Sequence, residues 1–194
     1  SADAYSTLLK NNFSNVIGNS NFDIGHNFAI NVGGEYFGFS GGIGILCSDI
    51  KGGGFTALSR PYDDYFDVDF LSHELGHQLG AAHIMNTCSR SGSSFSEVEP
   101  GSGSSIMGYA GACPTEGFHP DYRSLPYFNY VSIKEMHDHV SGSVCKQVLD
   151  INNSAPIASV QSEFTIPANT AFVLEGNATD VDGEESLTYQ WSQN

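Results

Sequence analysis

The eleven residues His73-Glu74-Leu75-Gly76-His77-Gln78-Leu79-Gly80-Ala81-Ala82-His83 constrain this chain more than any other stretch. His73 and His77 are four residues apart, which on an α-helix puts them on one face, about 40° from each other. Leu71, Leu75 and Leu79 fall on the opposite side of the same wheel. The spacing therefore predicts a helix with a leucine face packed into the protein and an imidazole face turned toward open space. Gly80 tolerates the positive φ that ends helices, and a turn there brings His83 back toward the first two histidines. Three neutral imidazoles with one position left for water form the donor set of catalytic zinc; structural zinc takes four protein ligands. Glu74 lies between the two faces, where a carboxylate can polarise that water. Surface histidines on an ordinary helix would not call for Gly80 and His83 at these fixed offsets.

Charge and cysteine content narrow the setting. Seven Lys and Arg stand against 22 Asp and Glu, a net charge of −15, which argues against nucleic acid or an anionic membrane surface as partner. No apolar run approaches the about 20 residues a membrane-spanning helix needs. The first residues show no basic and apolar leader, so any signal peptide is expected outside this sequence. Cys47, Cys88, Cys113 and Cys145 form no C-x-x-C pair, so they are read as disulfides, with three pairings open, or as buried free thiols. Disulfides imply a secreted, oxidising compartment. With 194 residues, the chain has room for one core, or one domain and part of another.

Along the chain, residues 4–12 read as a short helix and Phe22–Val32 as a strand, with His26 a satisfied, partly buried polar group. Ile43–Cys47 reads as a second short strand. Gly52–Leu58 reads as a glycine-loosened edge strand able to hold an extended peptide by strand addition, or else as a plain flexible turn. Asp69 is the expected N-cap of the histidine helix. Thr87–Ser105 is rich in Ser and Gly and reads as a long irregular loop. Ser132–Val140 reads as a final helix, with Ser132 and Glu135 as its capping box and His137 and His139 on its surface. Asn152–Pro156 has linker chemistry. Beyond it Phe172 and Leu174, then Leu187, Tyr189 and Trp191, alternate as strands do. That pattern suggests the start of an immunoglobulin-like sandwich, which in full takes about 100 residues. Asp180, Asp182 and Glu184 supply oxygen donors suited to calcium, or simply form an acidic turn.

The long histidine motif followed by Ser105-Ile106-Met107-Gly108-Tyr109 resembles the metzincin clan of zinc endopeptidases, in which a methionine-containing turn lies beneath the metal. The resemblance runs from about Ala2 to Cys145. It implies that His73, His77 and His83 bind zinc, that Glu74 is the general base and acid, and that Met107 floors the site. Gly42-Ile43-Gly44-Ile45-Leu46-Cys47 looks like the glycine-rich strand ending in Cys of reprolysin (adamalysin-like) peptidases. The pairing known there implies Cys47–Cys145, leaving Cys88–Cys113. Glu99–Met107, with the trailing β segment, is similar to secreted reprolysin-like enzymes of bacteria. Two positions depart from that pattern. Ile84 stands where reprolysins place Asp, and Tyr109 is a residue that astacins and serralysins have, where it can ligate zinc and steady the transition state. Tyr109 is accordingly assigned either an oxyanion role or simple packing.

The resulting expectation is an α+β chain. Residues 1–150 form a metzincin-like catalytic domain, a twisted sheet with an active-site helix and a C-terminal helix, expected to lack the first strands of such a domain. Residues 151–194 form a linker and an incomplete immunoglobulin-like β domain. The expected function is a secreted zinc endopeptidase acting on an extended polypeptide, with no nucleic-acid partner, no membrane span and no specified oligomeric state. The alternative is a catalytically silent, zinc-containing adhesion or binding module.

Overall fold

Residues Gly54–Leu58 carry no charge, and all five positions are buried, as expected of a strand inside a sheet with both faces covered. The computed structural model, which describes residues 1–31, 37–86, 95–111, 119–161, 163–183 and 187–192, has that arrangement. Strand β1 (His26–Ile30) pairs in parallel with β3 (Gly54–Leu58), and β2 (Phe37–Phe39) pairs antiparallel on the other side, giving the order β1-β3-β2. The edge expected at Gly52–Leu58 is therefore the centre of the sheet. Among the described residues the free edge on that side belongs to β2.

Helix α1 (Ala2–Val16) is longer than the segment 4–12 that its sequence suggested. Ser1 caps it by accepting from Ala4 N at 3.4 Å. Its Leu9 and Phe13 pack with Phe55, Ala57, Ala29 and Phe39 into an apolar cluster on the sheet. A second cluster, Ala81, Ile84, Ile106 and Met107 with Val68, Val98, Phe128 and Met136, lies beneath the histidine helix. Ile84 is fully buried in it, so the Asp that reprolysins carry there would enter an apolar core in this chain.

Four further expectations are corrected. Residues 41–50 form turns and no strand, because Gly41, Gly42, Gly44 and Cys47 all take positive φ, which breaks a pleated chain. This segment hydrogen-bonds to the end of the histidine helix, Gly44 N to His77 O at 2.8 Å and Leu46 N to Gln78 O at 3.3 Å. Within Thr87–Ser105, residues Phe95–Glu99 form strand β5, which pairs in parallel with β4 (His83–Met85). The last helix of this part, α4 (Tyr130–Gly142), is capped by Asn129, which accepts from Val131 N at 3.0 Å. Ser132 is wholly buried, and Glu135 bonds elsewhere, so the expected capping box does not form. His137 is exposed, but His139 is half-buried against Gly44 and Gly80.

The chain divides into two units, Ser1–Lys146 and Gln147–Trp191. In the second, the described strands are β6 (Ile157–Val160) and β7 (Gly176–Thr179), an antiparallel pair. Phe172, Leu174, Leu187, Tyr189 and Trp191 lie outside strands, and Phe172, Tyr189 and Trp191 are exposed. Their alternation signals a strand only where a second layer covers the apolar face. No helix among the described residues is long and apolar enough to cross a membrane.

Sheet and histidine helix meet through a polar seam. His26 Nδ1 lies 2.8 Å from Gln78 Oε1, and His26 Nε2 lies 2.8 Å from Thr56 Oγ1. Gln78 Nε2 donates to Gly25 O at 3.1 Å, so its oxygen accepts from His26 Nδ1–H, and His26 Nε2 accepts from the threonine hydroxyl. Both bonds suit a neutral ring. Burial holds the His26 pKa below its ordinary 6.5, against a smaller raising effect of the Gln78 hydrogen bond. Below pH 6.5 the unfolded chain thus binds the proton that folded His26 refuses, and stability falls as the pH drops from 6.5 toward the folded pKa. Urea unfolding of metal-free protein should therefore lose less stability between about pH 6.5 and 5 in His26→Gln than in the wild type. Identical pH slopes for the two proteins would contradict this role.

Candidate metal centre

The histidine helix begins earlier than Asp69. Helix α2 (Asp63–Phe66) runs through a π-helical stretch (Asp67–Ser72) into α3 (His73–Leu79) without a break. An N-cap has extended backbone, whereas Asp69 lies within the helix. Its carboxylate instead accepts from Ser124 N at 2.7 Å and from Arg123 Nη1 at 3.1 Å. Tyr62 holds the N-cap position of α2, and the Asp63 carboxylate accepts from Tyr65 N at 3.0 Å. The π stretch widens the turn that leads into His73, a distortion that recurs at functional sites.

The faces of α3 differ from the expected ones. Leu71, Leu75 and Leu79 are only partly buried, while His73, Glu74, Gly76, His77 and Gln78 are buried. Gly76 explains why the histidine side closes over. A Cβ there would sit 2.5 Å from Met107 Sδ and 3.0 Å from Phe128 Cε1, so only glycine lets the methionine turn approach this face. Gly80 ends the helix at φ 117°, as its position implied. The chain then doubles back, with Ala81 N donating to Gly76 O at 2.9 Å, and enters β4 at His83.

This path gathers the three imidazoles. His83 Nε2 lies 3.2 Å from His73 Nε2 and 3.1 Å from His77 Nε2. Three nitrogens on one tetrahedral zinc at bond lengths of about 2.0–2.1 Å would stand about 3.3 Å apart. The protonation pattern follows from the other ring atoms. His73 Nδ1 is 2.7 Å from Ile106 O, and His77 Nδ1 is 2.7 Å from Ala81 O. A carbonyl can only accept, so each Nδ1 carries the proton and each Nε2 presents its lone pair. All three rings are 5–6% exposed. Buried lone pairs aimed at one point match the demands of a soft-to-borderline divalent cation. Among the described residues this is the group of donors able to hold a metal ion.

Three further predicted residues gather here. Met107 is fully buried under Gly76, and its carbonyl accepts from Ile84 N at 3.4 Å. The Tyr109 ring centroid lies 5.5 Å from that of His73 and 4.8 Å from that of His83, edge-on to the latter. Glu74 is buried, and a Cβ on Gly38 of strand β2 would fall 2.4 Å from its Oε1. The general-base candidate is thus packed against strand β2.

Several contributors have no side-chain signature in the sequence, the Ile106 and Ala81 carbonyls first among them. Glu99 is another. Buried at the end of β5, it accepts from Ser104 N at 2.8 Å, Ser105 N at 3.0 Å and Asn129 Nδ2 at 3.1 Å. It thereby hangs the methionine turn from the cap of α4. Its one sequence cue is an acid ahead of a turn-forming Pro-Gly pair.

Cys47 and Cys145 are joined by a disulfide, with Cα atoms 5.7 Å apart, tying the 41–50 turns to the chain beyond α4. Cys88 and Cys113 lie outside the described residues, as does Glu184. Asp180 accepts from Asp182 N at 2.8 Å, the bonding of an acidic turn, and Asp182 accepts from Ser154 N at 2.5 Å.

Residues 1–136 match the family described as Metallo-peptidase family M12B Reprolysin-like. No curated protein and no solved structure matches the chain. The family match covers well over half of the sequence and includes the three histidines, Glu74 and Met107. The chain belongs to the reprolysin-like metallopeptidases of family M12B.

Proposed function

We propose that this chain is a secreted zinc-dependent endopeptidase that hydrolyses peptide bonds of extracellular proteins. The observation that carries the reading is the convergence of three Nε2 atoms, with backbone carbonyls on the Nδ1 atoms of His73 and His77. His73, His77 and His83 would hold the metal. When bound there, zinc supplies Lewis acidity and lowers the pKa of a water to about 7. Glu74 accepts the proton of the attacking water and delivers it to the nitrogen of the leaving amine, a contribution of about 10²–10⁴-fold. Tyr109, beside His73 and His83, donates its hydroxyl to the scissile carbonyl oxygen as that atom gains charge.

Substrate binding by strand addition moves from β3, which is paired on both sides, to β2. An extended peptide along β2 would pass over Gly38, the residue against which the Glu74 carboxylate lies. The Cys47–Cys145 disulfide supports an oxidising, extracellular setting.

Zinc-loaded wild type should cleave casein, whereas Glu74→Gln should keep its zinc and lose at least about 10²-fold in kcat. Wild-type turnover by Glu74→Gln would overturn the mechanism. A wild type that binds zinc but cleaves nothing would support the silent binding module instead. Gly38→Ala tests the packing at the edge strand: the added methyl displaces the Glu74 carboxylate, so kcat should fall about 10-fold or more with zinc content unchanged. An unaltered kcat would show that the carboxylate does not work from this position.

A further inference from the structure

The hydrogen bond that orients His77 does not stop at its carbonyl. Ala81 O, the acceptor of His77 Nδ1–H at 2.7 Å, belongs to the peptide group whose nitrogen is Ala82 N. Ala82 N donates to Glu135 Oε2 on α4 at 2.8 Å. In a trans peptide the C=O and N–H point in opposite directions, so the imidazole and the carboxylate sit at the two ends of one amide dipole. The other carboxylate oxygen, Glu135 Oε1, accepts from Ser96 Oγ on β5. Both oxygens are thereby held, and the carboxylate has little freedom to turn away from the amide.

We propose that Glu135 is a positioning residue for the metal centre, acting on His77 through the Ala81–Ala82 peptide. Metal-ligating histidines commonly donate their second N–H to a carboxylate, which fixes the tautomer and makes the ligand more basic. In this chain the carboxylate is one peptide group removed. An N–H that donates to a carboxylate leaves its own carbonyl a stronger acceptor, by about 10–30% per bond in a hydrogen-bonded chain. The stronger carbonyl pulls harder on the Nδ1 proton of His77 and raises the donor strength of Nε2. The same contact fixes the two residues that immediately precede His83, so a single carboxylate supports two of the three ligands. His73 stands outside this relay, because its carbonyl partner is Ile106 O on the methionine turn. Glu135 touches neither substrate nor metal in this scheme.

The inference rests on the zinc reading above and is tested separately from it. Zinc affinity of the full chain is measured by competition with a chromophoric chelator, and the imidazole Nδ1–H resonances of the zinc-loaded protein are observed by NMR. Glu135→Gln keeps an oxygen for Ala82 N–H and an amide for Ser96 Oγ while removing the charge. It should bind zinc about 10-fold more weakly, and the His77 Nδ1–H resonance should move upfield while that of His73 stays in place. Asp138→Asn, which removes a charge from the exposed face of the same helix, should leave both readouts unchanged. Should Glu135→Gln fail to fold, Glu135→Asp, which keeps the charge but shortens the reach, should show the same selective shift of the His77 proton. Wild-type zinc affinity and an unmoved His77 resonance in the folded variant would overturn the proposal, as would equal shifts at His73 and His77. Absence of zinc binding by the wild type would instead refute the metal reading itself.

Discussion

Two backbone carbonyls determine which way two of the three imidazoles present their lone pairs. Neutral histidine has one lone pair on its ring nitrogens, and a metal can be bound only where that lone pair faces it. Ile106 O and Ala81 O each accept an Nδ1 proton, which turns the lone pairs of His73 and His77 inward. Other residues near the centre hold those carbonyls and His83 in place. Glu99 fixes the turn that carries Ile106, and Gly80 reverses the chain so that Ala81 and His83 come back over the end of α3.

Small residues set how closely the layers approach. Gly76 admits Met107 to the histidine face, Gly38 admits the Glu74 carboxylate to the edge strand, and Gly54 leaves room for the pair formed by Gln78 and His26. A side chain at any of these would push apart groups whose chemistry depends on contact, because packed interiors absorb added volume poorly. The helix is thus seated by its polar side, through His26, Gln78 and Thr56, as much as by apolar burial.

The local geometry of the site was legible in the sequence because it depends on spacing within one helix and one turn. His73, His77, Gly80 and His83 need only helical periodicity and a positive-φ residue to be placed. What could not be read was settled by partners distant in sequence. The histidine face of α3 is the more deeply buried one because the methionine turn covers it, and β3 is central because β1 and β2 flank it. Ile43–Cys47 has the composition of a strand but turns at Gly44 and Cys47 to bond with the end of α3. Glu135 matched a capping box by position, yet it serves the Ala82 amide, a choice that only the approach of α4 to the start of β4 decides.

The central claim is that the three histidines form one metal site. Elemental analysis of correctly oxidised wild-type protein, dialysed against buffered zinc, tests it most directly. The account predicts about one zinc ion per chain and its loss in His83→Ala, since two imidazoles alone make a much weaker site. A metal-free wild type, or a His83→Ala protein that retains its full complement of zinc, would contradict it.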